Sequence, residues 1–171
     1  FPGTLTYKGG AKSDTKILYD LYNQRAGADV KNSILESEQA VEEFSISLPA
    51  KFGGNTLLFK STESYGNGSL KNYFNVLEEG PKATFLKLFR IKLISDPSNM
   101  MDKEQKVFEQ YYEYYLYNNS TRELGKIKLK EKDIVKQLGD EEFVKSLISK
   151  GNLDVSNEVD VIKLIQGYNI K

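Results

Sequence analysis

Tyr111-Tyr112-Glu113-Tyr114-Tyr115-Leu116-Tyr117, followed by Asn118-Asn119-Ser120 and then by three apolar periodicities divided at Gly139 and Gly151, is the stretch that decides the fold. Its first part alternates with the two-residue period of a strand. Tyr112, Tyr114 and Leu116 fall on one face, and Tyr111, Glu113, Tyr115 and Tyr117 on the other. A turn at Asn118-Asn119-Ser120 returns the chain as a second strand, Arg122 to Leu129, closing a hairpin. Beyond it the period lengthens to 3.6. Glu131 to Leu138 sets Ile134, Val135 and Leu138 at helical spacing and stops at Gly139. Asp140 predicts an N-cap with Glu141 and Glu142 in the positive first turn, and Phe143, Val144, Leu147 and Ile148 form one apolar stripe ended by Gly151. Ser156 or Asn157 caps a third helix carrying Val161, Ile162, Leu164, Ile165 and Tyr168. Such short helices are not stable alone in water, so they must dock on one another or on a sheet.

Working towards the N-terminus, the chain reads as strands. Glu79-Gly80-Pro81 divides Lys71 to Glu78 from Ala83 to Ile94, and both sides alternate well enough to form a hairpin. In the second strand Phe85, Lys87, Phe89 and Ile91 share a face, with Leu86, Leu88 and Arg90 opposite. Ser95 to Gln105 reads as a long loop, and Tyr65 to Ser69 as a glycine-rich one. Further strands are expected over Thr15 to Asn23, Ala28 to Ser33, Val41 to Leu48 before Pro49, and Thr56 to Ser61. Turns are expected at Gln24 to Gly27, Glu36 to Gln39 and Phe52 to Gly54. The expected class is α+β in a single domain, 1–171. Residues 1–130 form a mostly antiparallel sheet of about eight or nine strands, curved into a sandwich or partial barrel, and 131–171 a cap of three short helices.

The composition excludes more chemistry than it suggests. With no histidine and no cysteine among 171 residues, Ser-His-Asp triads, Cys-His dyads, zinc fingers and iron–sulfur sites are impossible. Twenty-four basic and 24 acidic residues cancel, which removes the electrostatic case for nucleic acid or an anionic membrane as partner. The lysines at 126, 128, 130 and 132 are interleaved with Glu131 and Asp133 and read as solvated surface. No apolar run approaches the ~20 residues of a transmembrane helix. The first residue, Phe1, is not methionine; the expectation is a processed mature chain or a trimmed one, with any signal peptide already removed.

Several ordered motifs carry a resemblance. They are Leu18-Tyr19-Asp20-Leu21-Tyr22-Asn23, the aromatic strand Tyr73-Phe74-Asn75-Val76-Leu77 leading to Gly80, Phe85 to Leu88, and Tyr114-Tyr115-Leu116. They continue in a lysine-rich helix, a second helix, the link Asn152-Leu153, and a last helix closing on Tyr168-Asn169. In this order they resemble a family of uncharacterised secreted or cell-envelope proteins of Bacteroidetes. Leu129 and Lys130 stand where that family carries a serine cap, so the start of the first helix is left open. The resemblance implies export to the periplasm, the envelope or the exterior; it implies no activity and no catalytic residue.

Candidate sites are few. Tyr111, Tyr112, Tyr114, Tyr115 and Tyr117 could form an aromatic platform for a glycan or a protein surface, although tyrosine is also an ordinary strand former that packs across strands. Glu42-Glu43 and Glu78-Glu79 point to opposite faces within each pair. A glycosidase pair, which needs carboxylates about 5 to 9.5 Å apart, would therefore have to come from two segments. Asp20 in an apolar strand reads as an edge or turn residue. Asp154, Ser156, Glu158 and Asp160 have the alternation of a calcium loop but lack its glycine, and helix capping explains them. Asn67-Gly68-Ser69, Asn118-Asn119-Ser120 and Asn119-Ser120-Thr121 match a glycosylation acceptor, and Gly9-Gly10 and Gly53-Gly54 are turns without phosphate-loop spacing. No cofactor or metal is expected. The resulting expectation is a non-enzymatic exported module binding a protein or glycan at the cell envelope. The alternatives are a carboxylate-dependent hydrolase acting on glycans, and a structural or stress-related envelope protein that needs no ligand.

Overall fold

The computed structural model describes residues 1–35, 39–66, 72–95 and 106–170. The glycosylation pattern at Asn67, most of the glycine-rich loop, most of the turn expected at Glu36 and nearly all of the loop expected after Ser95 lie outside them. Ten strands occur among the described residues: β1 (Pro2–Tyr7), β2 (Lys12–Asp20), β3 (Arg25–Val30), β4 (Ser33–Leu35), β5 (Val41–Ser47), β6 (Thr56–Ser61), β7 (Tyr73–Glu79), β8 (Ala83–Ser95), β9 (Lys106–Asn118) and β10 (Glu123–Ile127). Three helices follow, α1 (Glu131–Leu138), α2 (Glu141–Gly151) and α3 (Glu158–Ile170). The strands make one antiparallel sheet in the order β10-β9-β8-β7-β6-β5-β1-β2-β3-β4, two meanders joined through β1 and β5. Its outer strands, β10 and β4, do not pair with each other, so the sheet is open.

The α+β class thus holds, with ten strands in place of eight or nine. Neither β1 nor β4 has a legible pattern. β1 opens with Pro2-Gly3, poor strand formers, and buries only Leu5 completely, while β4 is three residues long. Gly3 is nonetheless required, because a Cβ there would run into the Ser45 carbonyl and the Ile17 side chain. The turn expected at Gln24 to Gly27 lies earlier. Asp20 makes it, its carboxylate accepting hydrogen bonds from the Tyr22 and Asn23 amides at 2.9 and 3.0 Å and from Asn23 Nδ2 at 2.7 Å. The Asn23 bonds above all hold the Asp20 carboxyl below the ordinary range.

The sheet is strongly curled. In a flat sheet β2 and β8, with four strands between them, would lie about 24 Å apart. Here Gln24 Nε2, just after β2, donates to the Phe89 carbonyl on β8 at 3.1 Å, and Tyr22 meets Phe108 of β9 edge-on at 5.6 Å. The curl encloses an aromatic core in which Phe44 and Phe59 stack at 4.7 Å and Tyr19 and Tyr73 close in edge-on. At the other end of the same face the helices take over. Val144, Val161, Leu164 and Ile165 pack with Ile134 and Leu138 onto Ala83, Phe85, Leu116 and Ile127. Each fully buried aliphatic side chain contributes roughly 1.5–3 kcal/mol.

Several of the sequence motifs have identifiable structural tasks here. Asn169 clamps the β7–β8 turn, its Oδ1 accepting from the amides of Lys82 and Ala83 and its Nδ2 donating to the Ala83 carbonyl, at 2.9 to 3.0 Å. The Tyr168 hydroxyl donates to the Leu138 carbonyl at 3.2 Å. Asn152 ends α2 in a left-handed conformation, φ 47°, so the helix runs through the expected stop at Gly151 and closes one residue later. Asp140 caps α2 and Asn157 caps α3 as their spacing predicts. α1 starts at Glu131 without a side-chain cap, in keeping with Lys130 at that position; Asp133 accepts the Lys128 amide instead. Asn118, one of the acceptor-pattern asparagines, ties the β9–β10 turn to the end of α1 through its side chain.

Candidate functional site

β8 and β9 stay paired from Ala83↔Asn118 to Ser95↔Lys106, but the partners that β7 and β10 offer them end at Lys87 and Tyr114. The remaining rows form a two-stranded arm roughly 25 Å long. Because Phe89 has no partner in β7, its carbonyl is left for Gln24.

Register divides the five tyrosines among four environments. Tyr115 and Tyr117 face away from the helices into a second aromatic cluster with Tyr65 and Phe74, at ring separations of 5.0 Å for Tyr115–Phe74 and 5.2 Å for Tyr117–Tyr65. Burial, reinforced by Glu113 beside it, pushes the Tyr115 hydroxyl up to about 12. Tyr114 lies beneath α3, stacked on Phe85, and its hydroxyl donates to Glu158 at 2.8 Å; burial and that carboxylate raise its pKa strongly. Tyr111 sits on the charged face of the arm, with Lys92 5.5 Å from its ring centre. Tyr112 alone joins an open aromatic face. It is 49% exposed, packs edge-on against Phe89 at 5.3 Å, and is followed along the arm by Phe108, 64% exposed, with Tyr22 beside it.

The root of this face carries one polar group of each kind. Lys87 lies 4.3 Å from the centre of the Tyr112 ring and pairs with Glu158 at 2.7 Å, and Gln110 Nε2 reaches the Tyr112 hydroxyl at 3.4 Å. An aromatic platform bordered by a neutralised ion pair and an amide suits an uncharged partner with apolar and hydrogen-bonding parts. Alternation alone places Tyr112 here. Tyr22, Phe108, Lys87 and Glu158 come from separate segments, and the one signal pointing to them is Lys87, a lone cation between Phe85 and Phe89 on an apolar strand face.

Other candidates resolve into structural roles. Asp154 accepts the Ser156 amide and hydroxyl, and Asp160 accepts the Asp154 amide and pairs with Lys163, so these two aspartates serve the link into α3 while Glu158 turns to Lys87 and Tyr114. Those partners, Lys163 first, hold the Asp160 carboxyl down at about 2. Among carboxylates, Glu43 and Glu79 do converge from two segments, but on a shared cation: Lys60 Nζ lies 2.8 Å from Glu79 and 3.8 Å from Glu43. The Lys60 ammonium thus fills the space between the two carboxylates that a glycosidase pair must leave open to substrate and water. A larger cleft, about 750 Å³, opens at the end of the curl between Tyr7, Gln24, Val41 and Tyr73. Tyr73 of its lining donates to the Val41 carbonyl, and the neighbouring Tyr19 to Gln24. No protein-family model, curated protein or solved structure matches the chain.

Proposed function

We propose that the protein is a non-enzymatic, exported binding module that recognises a protein or glycan at the bacterial cell envelope through the aromatic face of the β8–β9 arm. The observation that carries the binding role is the exposure of Tyr112 and Phe108, with Tyr22, on one face of a hairpin that extends beyond its neighbouring strands. Large rings with polar tips cover partner surface at small entropic cost, and exposed ones in a group mark a contact surface. The envelope location rests on the resemblance in Leu18 to Asn23, Tyr73 to Gly80, Phe85 to Leu88 and Tyr114 to Asn169. Purified protein is to be tested on glycan arrays and against envelope extracts, beside the double variant Tyr112→Ala/Phe108→Ala. Retention of a glycan or an envelope protein by the parent and its loss in the variant is the expected result. A parent that retains neither, or a variant that binds as well as the parent, would refute the role of the arm.

A further inference from the structure

On the β7 side of β8, amide side chains take over the outward backbone groups that β7 does not reach. Asn169 bonds the amide and carbonyl of Ala83, and Gln24 the carbonyl of Phe89. The β10 side of β9 has no such cover. β10 ends at Ile127, opposite Tyr114, and the chain leaves the sheet for α1, while β9 extends past that row to Lys106. Hydrogen-bond parity identifies the groups left open. The Asn119 amide donates to the Lys82 carbonyl at 2.8 Å, so odd-numbered residues of β9 aim their amides and carbonyls at β8 and even-numbered ones aim theirs away. Ala83 and Phe89, turned away from β9, obey the same parity. The outward groups beyond Tyr114 are therefore the amides and carbonyls of Tyr112, Gln110 and Phe108, and no described residue bonds to them.

Folded sheets blunt an open edge with a short strand, a proline, a bulge or a covering side chain. At the other end of this sheet β4 is three residues long. β9 has none of these devices between Phe108 and Tyr112: its register with β8 is unbroken, it holds no proline or glycine, and all three outward residues are exposed. The one charge in that stretch, Glu109, is paired with Lys92 across the arm. A repeat of outward donor and acceptor at every second residue is matched by another extended polypeptide, whereas a sugar offers no such repeat. The side chains of Phe108, Gln110 and Tyr112 belong to the aromatic face. An added strand would set two residues, four apart, directly beside Phe108 and Tyr112, where bulky apolar side chains pair best. On the opposite face Glu109 and Glu113 already have Lys92 and Lys126, so the partner needs no net charge.

We infer that the free edge of β9, from Phe108 to Tyr112, takes up an extended peptide segment of a partner protein as an added strand. This rests on the proposed role of the arm and narrows its partner to a polypeptide. The probes are synthetic peptides of about nine residues, selected on the full chain from a random display library. They are expected to carry bulky apolar residues four apart. On binding, the amides of Phe108, Gln110 and Tyr112 should gain protection from exchange, with those of Val107, Glu109 and Tyr111, already bonded to β8, unchanged. Gln110→Pro removes an outward donor without touching the β8 ladder and should weaken binding about tenfold or more. Methylating alternate backbone nitrogens of a bound peptide tests the same bonds on the unaltered protein: one alternate set should abolish binding and the other spare it. Selection of no peptide that binds below about 1 mM, protection without alternation, or indifference to methylation overturns the inference. So does a dimer of the parent that Gln110→Pro dissolves, which would give the edge to a second copy. Retention of a glycan or envelope protein that is lost in Tyr112→Ala/Phe108→Ala but kept in Gln110→Pro would overturn strand addition and leave the role of the aromatic face standing.

Discussion

Replacing Asn169 by alanine should loosen the whole C-terminal half, although the residue lies in the last turn of the last helix. Its side chain makes three hydrogen bonds to the backbone of Lys82 and Ala83, 86 or 87 residues away in the chain. Ala83 is fully buried, so its amide and carbonyl cannot both be taken over by water, and each falls in the range of about 1–3 kcal/mol for an unsatisfied buried group. Lys82 is half-buried and recovers a water at little cost. The loss is then about 3 kcal/mol, equivalent to roughly 6–12 °C in melting temperature for a domain of this size. Asn169→Asp keeps the acceptor for the two amides but loses the donor to the Ala83 carbonyl, and should fall between alanine and the parent. Thermal and urea unfolding followed by circular dichroism measure both variants, and amide exchange at Ala83 reports the local opening. A shift below 2 °C in Asn169→Ala, with the Ala83 amide still protected, would refute the clamp.

Gly3→Ala should cost about 3 kcal/mol or more, since its Cβ meets the Ser45 carbonyl, a backbone atom that can yield only by parting β1 from β5; urea unfolding measures it. Leu164→Ala empties the centre of the helix–sheet core and should lose about 2–5 kcal/mol, whereas Leu35→Ala, 59% exposed on β4, should stay within about 0.5 kcal/mol of the parent. Stability should be level between pH 6 and 8, because the chain has no histidine. In acid, Asp20 is lowered from 3.8, Glu113 is lowered from 4.5 by Lys126, Tyr115 and Arg90 against the opposing effect of burial, and Asp160 is held at about 2. The unfolded chain then takes up protons first, so the stability of these groups is present above about pH 4.5 and lost as pH falls towards 2. In alkali the sign is reversed: Tyr115 is raised from 10.0 to about 12, and Tyr19, Tyr65 and Tyr114 are raised further, so stability should decline from about pH 10 upwards. Melting curves against pH, with tyrosinate absorbance as the second signal, check both limbs; unfolding that precedes tyrosine ionisation in alkali would contradict the second.

Legibility followed the range of the interactions. The bounds of α1, the cap of α2 and the edges of β6 agree with the reading of neighbouring residues because capping, periodicity and turn chemistry act over three or four positions. β1 and β4 escaped it since their residues are strand-like only through the partners they meet, Gly3 through the close approach of Ser45 and β4 through β3. Asp20 was readable as a turn residue, but the turn was placed three residues late, because Gly27 lies within β3 and a glycine in a strand looks the same as one in a turn until its neighbour is known. Gly27 is there to admit the side chain of Ile34.

The same division applies to function. Sequence by itself determined that histidine and cysteine chemistry is absent, that the tyrosine strand has two faces, and that three short helices end the chain. Those are properties of composition and of local period, which no packing can alter. Tertiary structure alone decided that Tyr115 and Tyr117 are packing residues while Tyr112 stands beside Phe108 and Tyr22. It also put Lys60 between Glu43 and Glu79 and left the Tyr65 hydroxyl without a hydrogen-bond partner among the described residues. Each of these depends on how far a ten-stranded sheet curls and which segments it brings together, a distance set by the sum of many contacts and written in no single stretch of the chain.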